Sequence, residues 1–240
     1  MKSLTIAIFK LLPAIFFAAN ASSAQFLEDF SGSLPSPSWS TNIPPGYSIQ
    51  FAGGRGAFEK VGPTTPNTAA YLTTNFVLDG DFEVSVDLDA RSGGSLYDGL
   101  TMQWRDSTTF AQIYLIGNRI FQGAGPSPSS YTFNNSTTTI FELKFKITRI
   151  GTTMSLSFDR GQGGFETFYT TSGAIYSGPV LARLEVNETG SSALSTSYFD
   201  NFLAQATTIT PVPEPTSVAL LLAGLFFITQ RAQRHVRFLA

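Results

Sequence analysis

The stretch DFEVSVDLDA, Asp81 to Ala90, sets the architecture. Phe82, Val84, Val86 and Leu88 take alternate positions, and Glu83, Ser85, Asp87 and Asp89 fill the gaps between them. Successive side chains of a strand point to opposite faces, so a period of two builds a strand with one apolar and one acidic face. The same alternation recurs in ELKFKITRI (142–150), where Leu143, Phe145, Ile147 and Arg149 alternate with Lys144, Lys146 and Thr148. Gly151-Thr152 then turns the chain, and Met154, Leu156 and Phe158 supply the next apolar face. Further strands are predicted over 26–30, 47–52, 56–60, 69–76, 99–105, 109–116, 119–122, 166–171, 180–186 and 197–205. Glycine-rich turn signals separate several of them, such as Gly53-Gly54-Arg55-Gly56 and Gly161-Gln162-Gly163-Gly164. No stretch of ten residues carries a helical stripe. Many short alternating strands in one domain require two antiparallel sheets packed face to face, an all-β sandwich.

The two ends of this domain match. FLEDFSG (26–32) opens it and SYFDNFLAQ (197–205) closes it, each with an acidic residue close before a phenylalanine. The expectation is that the first and last strands lie side by side. With the middle strand YDGLTMQWRD (97–106), these features resemble the concanavalin A-like lectin and glucanase jelly rolls, bacterial laminin-G-like domains included. The resemblance implies that fold and, in some members, activity on glycans.

Outside the domain the chain reads differently. Lys2 and Lys10, the apolar run Leu11–Ala19 and the small residues Asn20 to Ala24 follow the order of a secretory signal peptide, with cleavage after Ala24 and the site after Ala21 as the alternative. At the other end stand Pro213-Glu214-Pro215, the apolar run Val218–Ile228 and the basic residues Arg231, Arg234 and Arg237. The run makes a short transmembrane helix once its hydroxyl and amide neighbours extend it, with the arginines on the cytoplasmic side. The prolines keep the tripeptide extended and outside that helix. This arrangement resembles the PEP-CTERM sorting signal. The resemblance implies an exosortase at the inner membrane of a Gram-negative bacterium as partner, removal of the tail, and delivery to the cell surface or exopolysaccharide matrix. The division is therefore 1–24 signal peptide, 25–208 β-sandwich and 209–240 sorting signal.

Composition narrows the chemistry. Cysteine is absent, and the one histidine, His235, lies in the segment to be removed. A Ser-His-Asp triad, a thiol nucleophile and zinc or copper sites built on His or Cys are thereby excluded from the mature protein. Between Gln25 and Thr210, ten Lys and Arg face sixteen Asp and Glu, a formal charge of −6. Such a surface repels phosphate backbones, so no nucleic-acid partner is expected. Carboxylates, Lys, Arg, Tyr and calcium remain.

Three candidate sites follow. A hairpin of GLTMQWRD (99–106) and TFAQIYLI (109–116) with a two-residue loop pairs Gln103 with Gln112 and Met102 with Ile113. Its apolar face is Leu100, Met102, Trp104, Ala111, Ile113 and Leu115. Its other face offers Gln103, Arg105, Gln112 and Tyr114, joined by Asp87 and Asp89 if the preceding strand is adjacent. Amides, carboxylates and guanidinium groups match sugar hydroxyls, so this set is the glycan-binding candidate, with extracellular polysaccharide as partner. Asp79 and Asp81, around Gly80 at a strand entrance, are the calcium candidates, although two carboxylates alone supply too few oxygens. A glycosidase needs two carboxyl groups about 5–10 Å apart. The Glu-x-Asp-x-x-Glu strand of laminarinase-type enzymes is missing here, and Glu83 and Asp87 are roughly 13 Å apart along a strand. Asp87 and Asp89 have suitable spacing. The expected role is thus a non-catalytic, glycan-contacting exported protein, with a carboxylate-dependent glycan hydrolase or lyase as the alternative.

Overall fold

The computed structural model describes residues 23–32, 36–64, 68–90, 96–104, 109–116, 119–123, 130–132, 142–188 and 195–212. The segment 1–22, Arg105 and the sorting motif from Pro213 onward lie outside them. Among the described residues, no helix is long and apolar enough to cross a membrane.

The described residues form an antiparallel β-sandwich in which a single short 3-10 turn, Ala174–Tyr176, interrupts the strands. One layer is centred on β6 (Phe76–Ala90). It runs β13 (Glu166–Ser172), β12 (Thr153–Asp159), β11 (Glu142–Ile150), β6 and β15 (Ser195–Pro211). The far edge of β15 pairs first with β4 (Arg55–Lys60) and then with β1 (Ala24–Glu28), and β3 (Tyr47–Ala52) flanks β4. The other layer is centred on β7 (Leu96–Trp104). Its order is β10 (Ser130–Thr132), β9 (Arg119–Gln122), β8 (Phe110–Ile116), β7, β14 (Val180–Glu188), β5 (Ala69–Thr74) and β2 (Trp39–Asn42). The layers join where Val180 pairs with Leu78.

The alternation seen in the sequence becomes the core. Phe82, Val84, Val86 and Leu88 of β6 face inward with Phe145, Ile147, Leu156 and Phe158, and all are buried. They meet Leu100, Met102, Trp104, Ala111, Ile113 and Leu115 from the β7 sheet, also buried. Each Val, Leu, Ile, Phe or Met among them stabilises the fold by about 1.5–3 kcal/mol. The matching chain ends do lie side by side, with Phe26 opposite Ala204 in a β1–β15 pair. Phe26, Phe30, Trp39 and Phe202 pack around that seam, the Trp39 and Phe202 rings meeting edge-on at 4.8 Å.

Arg149 falls on the inward face, as its place in the alternation required. It is 2 % exposed, and its Nε donates to the Gly80 carbonyl at 2.8 Å while Nη1 donates to Tyr176 O at 3.1 Å. Its guanidinium sits 4.7 Å from the Phe82 ring. Burial lowers its pKa, countered by Asp79 and Asp81. The side chain thus clamps three segments by satisfying carbonyls that would otherwise be orphaned. Gly80 has φ 72°, and a Cβ there would stand 2.7 Å from Thr207.

Three details differ from the sequence reading. The β7–β8 hairpin pairs Gln103 with Phe110 and Met102 with Ala111, and Trp104 N donates to Thr109 O across the turn. The connection is therefore four residues, 105–108, and every pairing slides by two positions. A slip of two leaves each side chain on its face, so the apolar face stands and only the partners change. β2 and β10 were not anticipated: each is short and carries little alternation. The last strand also continues to Pro211, past the predicted range of 197–205.

Candidate active site

Two polar faces look outward, one from each sheet. On the β6 sheet, alternation sends Asp87 and Asp89 out. Asp89 pairs with Arg55 of β4 at 3.0 Å. Asp87 pairs with Lys144 of β11 at 3.0 Å and accepts from Asn201 Nδ2 at 3.0 Å. Directly across on β15 stands Asp200, in register with Asp87.

A β-bulge places Asp200 and Asn201 there. Asp200 pairs with Asp87 and Leu203 with Ser85, so β15 spends one residue more than β6 over this interval. Asn201 takes up the excess at φ 48°, a conformation that asparagine tolerates better than most side chains. Phe199 and Phe202 both remain fully buried. Asp200 and Asn201 between them both turn to solvent, and Asp87 receives one beside it and one as a donor. The Asp200 pKa is raised, mainly by burial and further by the charge of Asp87. These residues, with Tyr198, Arg55 and Lys144, line a cleft of about 240 Å³.

The second face belongs to the β7 sheet. It carries Gln103, Gln112 and Tyr114, as expected from the hairpin. Gln103 accepts from Arg183 of β14, and Tyr114 stacks on Phe121 of β9 at 5.5 Å with 10° between the planes. Glu185 of β14 lies between Tyr71 and Gly99 in register, 4.0 Å from Arg183. Burial raises its pKa, partly offset by Arg183.

The six residues proposed from sequence as one glycan site are therefore not one site. Asp87 and Asp89 sit on the β6 sheet, Gln103, Gln112 and Tyr114 on the β7 sheet, and Arg105 lies outside the described residues. The error lay in seating β6 beside β7. β14 takes that place, pairing with β7 over nine positions and with β6 at one. The calcium candidates are committed elsewhere. Asp79 Oδ1 accepts from Gly80 N at 2.8 Å, and Asp81 Oδ1 accepts from Gly151 N at 2.7 Å. Among the described residues, no cluster of three or more His, Cys, Asp or Glu side chains could hold a metal ion.

Asp200 and Asn201 were missed, yet the sequence held a signal for them. Two phenylalanines three positions apart within a strand, Phe199 and Phe202, cannot both face the core without a bulge between them.

No family model matches the sequence, and no curated protein matches it. Solved structures do. The laminarinase catalytic domain of Thermotoga petrophila RKU-1, an endo-1,3-β-glucanase, is 12% identical at a TM-score of 0.58, covering 75% of this chain and 96% of its own. The endo-β-1,3-glucanase of Pyrococcus furiosus is 12% identical at 0.60, covering 75% and 93%. The architecture these structures share with this chain is an antiparallel β-sandwich consistent with a jelly roll. A third likeness is to the GlcNAcα1-4Gal-releasing endo-β-galactosidase of Clostridium perfringens, 12% identical at 0.57, of which 63% is covered by 77% of this chain. At these identities the likeness establishes the fold. It also overturns the first expectation of a non-catalytic protein: these structures are glycoside hydrolases, and they favour the hydrolase alternative.

Proposed function

We propose that this protein is a carboxylate-dependent glycan hydrolase, with Asp200 as general acid and Asp87 as nucleophile. The observation that carries the reading is the pair itself: two carboxyl groups in register on adjacent strands, in a cleft, with unlike surroundings. Burial and its neighbour favour a proton on Asp200, whereas Asp87 is ion-paired with Lys144. Pairs of carboxyls in divergent environments divide into acid and base. Directly opposed side chains have Cβ atoms about 4.5–5.5 Å apart. Enzymes that retain anomeric configuration hold their two carboxyl groups roughly 5–5.5 Å apart, a separation that side chains so placed can adopt.

In the first step Asp200 gives its proton to the glycosidic oxygen as the bond to the leaving sugar breaks, and an Asp87 oxygen bonds to the anomeric carbon. Asp200, now a carboxylate, then takes a proton from water, whose oxygen displaces Asp87. One water is consumed and both carboxyls return to their starting states. Asn201 and Lys144 hold Asp87 in line. The neighbours' glucanase and galactosidase activities support a polysaccharide substrate. The test is release of reducing ends from soluble β-1,3-glucan, galactan and xylan by the purified protein. Release lowered a hundredfold or more in Asp200→Asn and Asp87→Asn, in proteins that still melt cooperatively, is expected; no release by the unaltered protein on any of the three refutes the reading.

We also propose that the chain is exported and processed at both ends, on the strength of its terminal segments. An extracellular polysaccharide substrate is consistent with that destination. Intact-mass measurement of the extracellular protein is expected to show loss of residues 1–24 and of the tail beyond the Pro213–Pro215 region. A mass extending to Ala240 would contradict the sorting proposal.

A further inference from the structure

We propose that the outer face of the β7 sheet is a second carbohydrate-binding surface, a trough that holds a neutral polysaccharide between Tyr71 and Tyr114. It deepens the hydrolase reading by giving the polymer a hold on the sheet opposite the Asp87–Asp200 cleft, but its binding step stands independently of cleavage.

The sheet register builds the trough. Tyr71, Glu185, Gly99, Tyr114 and Phe121 form one unbroken row across five strands. With about 4.8 Å between strands, the two tyrosines stand roughly 14 Å apart, the width of a short run of sugar rings. Between them the floor is a carboxyl and a glycine. A Cβ at Gly99 would lie 2.9 Å from Tyr114 Cβ, so a side chain here would crowd the aromatic wall. Tyr114 is backed by Phe121, and Tyr71 by the Arg183 guanidinium at 4.2 Å, so both walls are braced.

The adjoining row, Thr73, Arg183, Thr101 and Gln112, carries only hydrogen-bonding groups. Within it Thr101 is 4 % exposed, and among the described residues its Oγ1 has no partner; on the same face the buried Asn187 Oδ1 also has none. Buried polar atoms left unpaired cost about 1–3 kcal/mol each, and such atoms on an outward face beside an aromatic wall point to a hydroxylated ligand. Charge selects its class. Glu185 and Arg183 lie 4.0 Å apart and offset one another, so among the described residues the floor between the two tyrosines carries no surplus cation, and the exposed Arg119 stands outside it, beyond the Phe121 end of the row. Aromatic walls, amide and hydroxyl donors and an internally paired charge describe a site for neutral pyranose chains.

The full chain carrying both Asp87→Asn and Asp200→Asn serves as the binding protein, so that cleavage cannot confuse the result. Its migration in native gels is measured with β-1,3-glucan, galactan, xylan or the anionic polygalacturonate as the immobile polymer. Retardation by at least one neutral polymer, weakened tenfold or more by Tyr114→Ala and by the near-isosteric Thr101→Val, is the expected result. No retardation, retardation by polygalacturonate alone, or retardation indifferent to both substitutions would overturn the trough. Should retardation appear as expected while the unaltered protein releases no reducing ends, the hydrolase reading fails and the trough stands.

Discussion

The two outer faces of this sandwich are built by the same alternation and end with opposite chemistry. The β6 face is charged, with carboxylates opposed across strands and two cations holding them. The β7 face is aromatic and amidic, and its Glu185 and Arg183 engage each other. A bulge accounts for part of the difference. At Asn201 the ladder is broken so that two consecutive polar side chains meet Asp87. The pairings across the β7 face, by contrast, run in step from β5 to β9, and the row from Tyr71 to Phe121 stays straight. Regular pairing makes a surface on which a polymer can lie; a bulge concentrates groups at a point. The assignment of binding to one face and chemistry to the other rests on that contrast.

The sharpest way to break it is to exchange the acids. Asp200→Asn is expected to lower turnover by about 10²–10⁴, the usual contribution of a general acid. Glu185→Gln, on the trough floor, is expected to act on polymer affinity and raise the apparent KM, with kcat within a few-fold of the unaltered protein. The reverse pattern would move the chemistry to the β7 face. The pH–rate profile of the unaltered protein adds a check, because loss of the Asp200 proton closes the alkaline side. That limb is expected above the ordinary carboxylate range.

Between the two faces lies Asp98, 1 % exposed, whose carboxyl accepts from Ser197 Oγ at 2.7 Å and whose pKa burial raises to about 7. Its folded value exceeds its unfolded one, so the unfolded chain binds fewer protons in that interval. Stability is therefore greatest below about pH 4, falls as the pH rises to about 7, and is level beyond. The raised values of Glu185 and Asp200 act in the same sense. Asp98→Asn is expected to remove most of the slope, adding on the order of 3–4 kcal/mol at pH 8. Thermal melts from pH 4 to 8 measure it. A slope that survives in Asp98→Asn and disappears in Asp200→Asn would locate the titration at the cleft instead.

Smaller effects sharpen the contrast. Asn201→Gly keeps the backbone conformation and removes the donor to Asp87, so activity falls about tenfold, a loss of roughly 1 kcal/mol, with little change in melting. Asn201→Val destabilises by about 1–3 kcal/mol, because a β-branched residue is strained at that φ. On the other face Thr101→Val trades an unpartnered hydroxyl for a methyl and raises stability by about 1 kcal/mol in the absence of ligand. A residue that weakens the free protein and serves the bound one would show this pair of effects; destabilisation by Thr101→Val would mean that its hydroxyl has a structural partner.

The layered all-β character, the inward set of β6, β7, β8, β11 and β12, and the contact between the chain's two matching ends were all legible from residue order. Alternation is a local property, and a strand buries its apolar side whatever its neighbours are. Partnership between strands is not local. That β14 separates β6 from β7, that Asp87 meets Asp200 from more than a hundred residues away, and that Tyr71, Glu185 and Tyr114 fall in one row all depend on long-range register. Many registers satisfy the same alternation, and the choice among them is made by packing both sheets around one core.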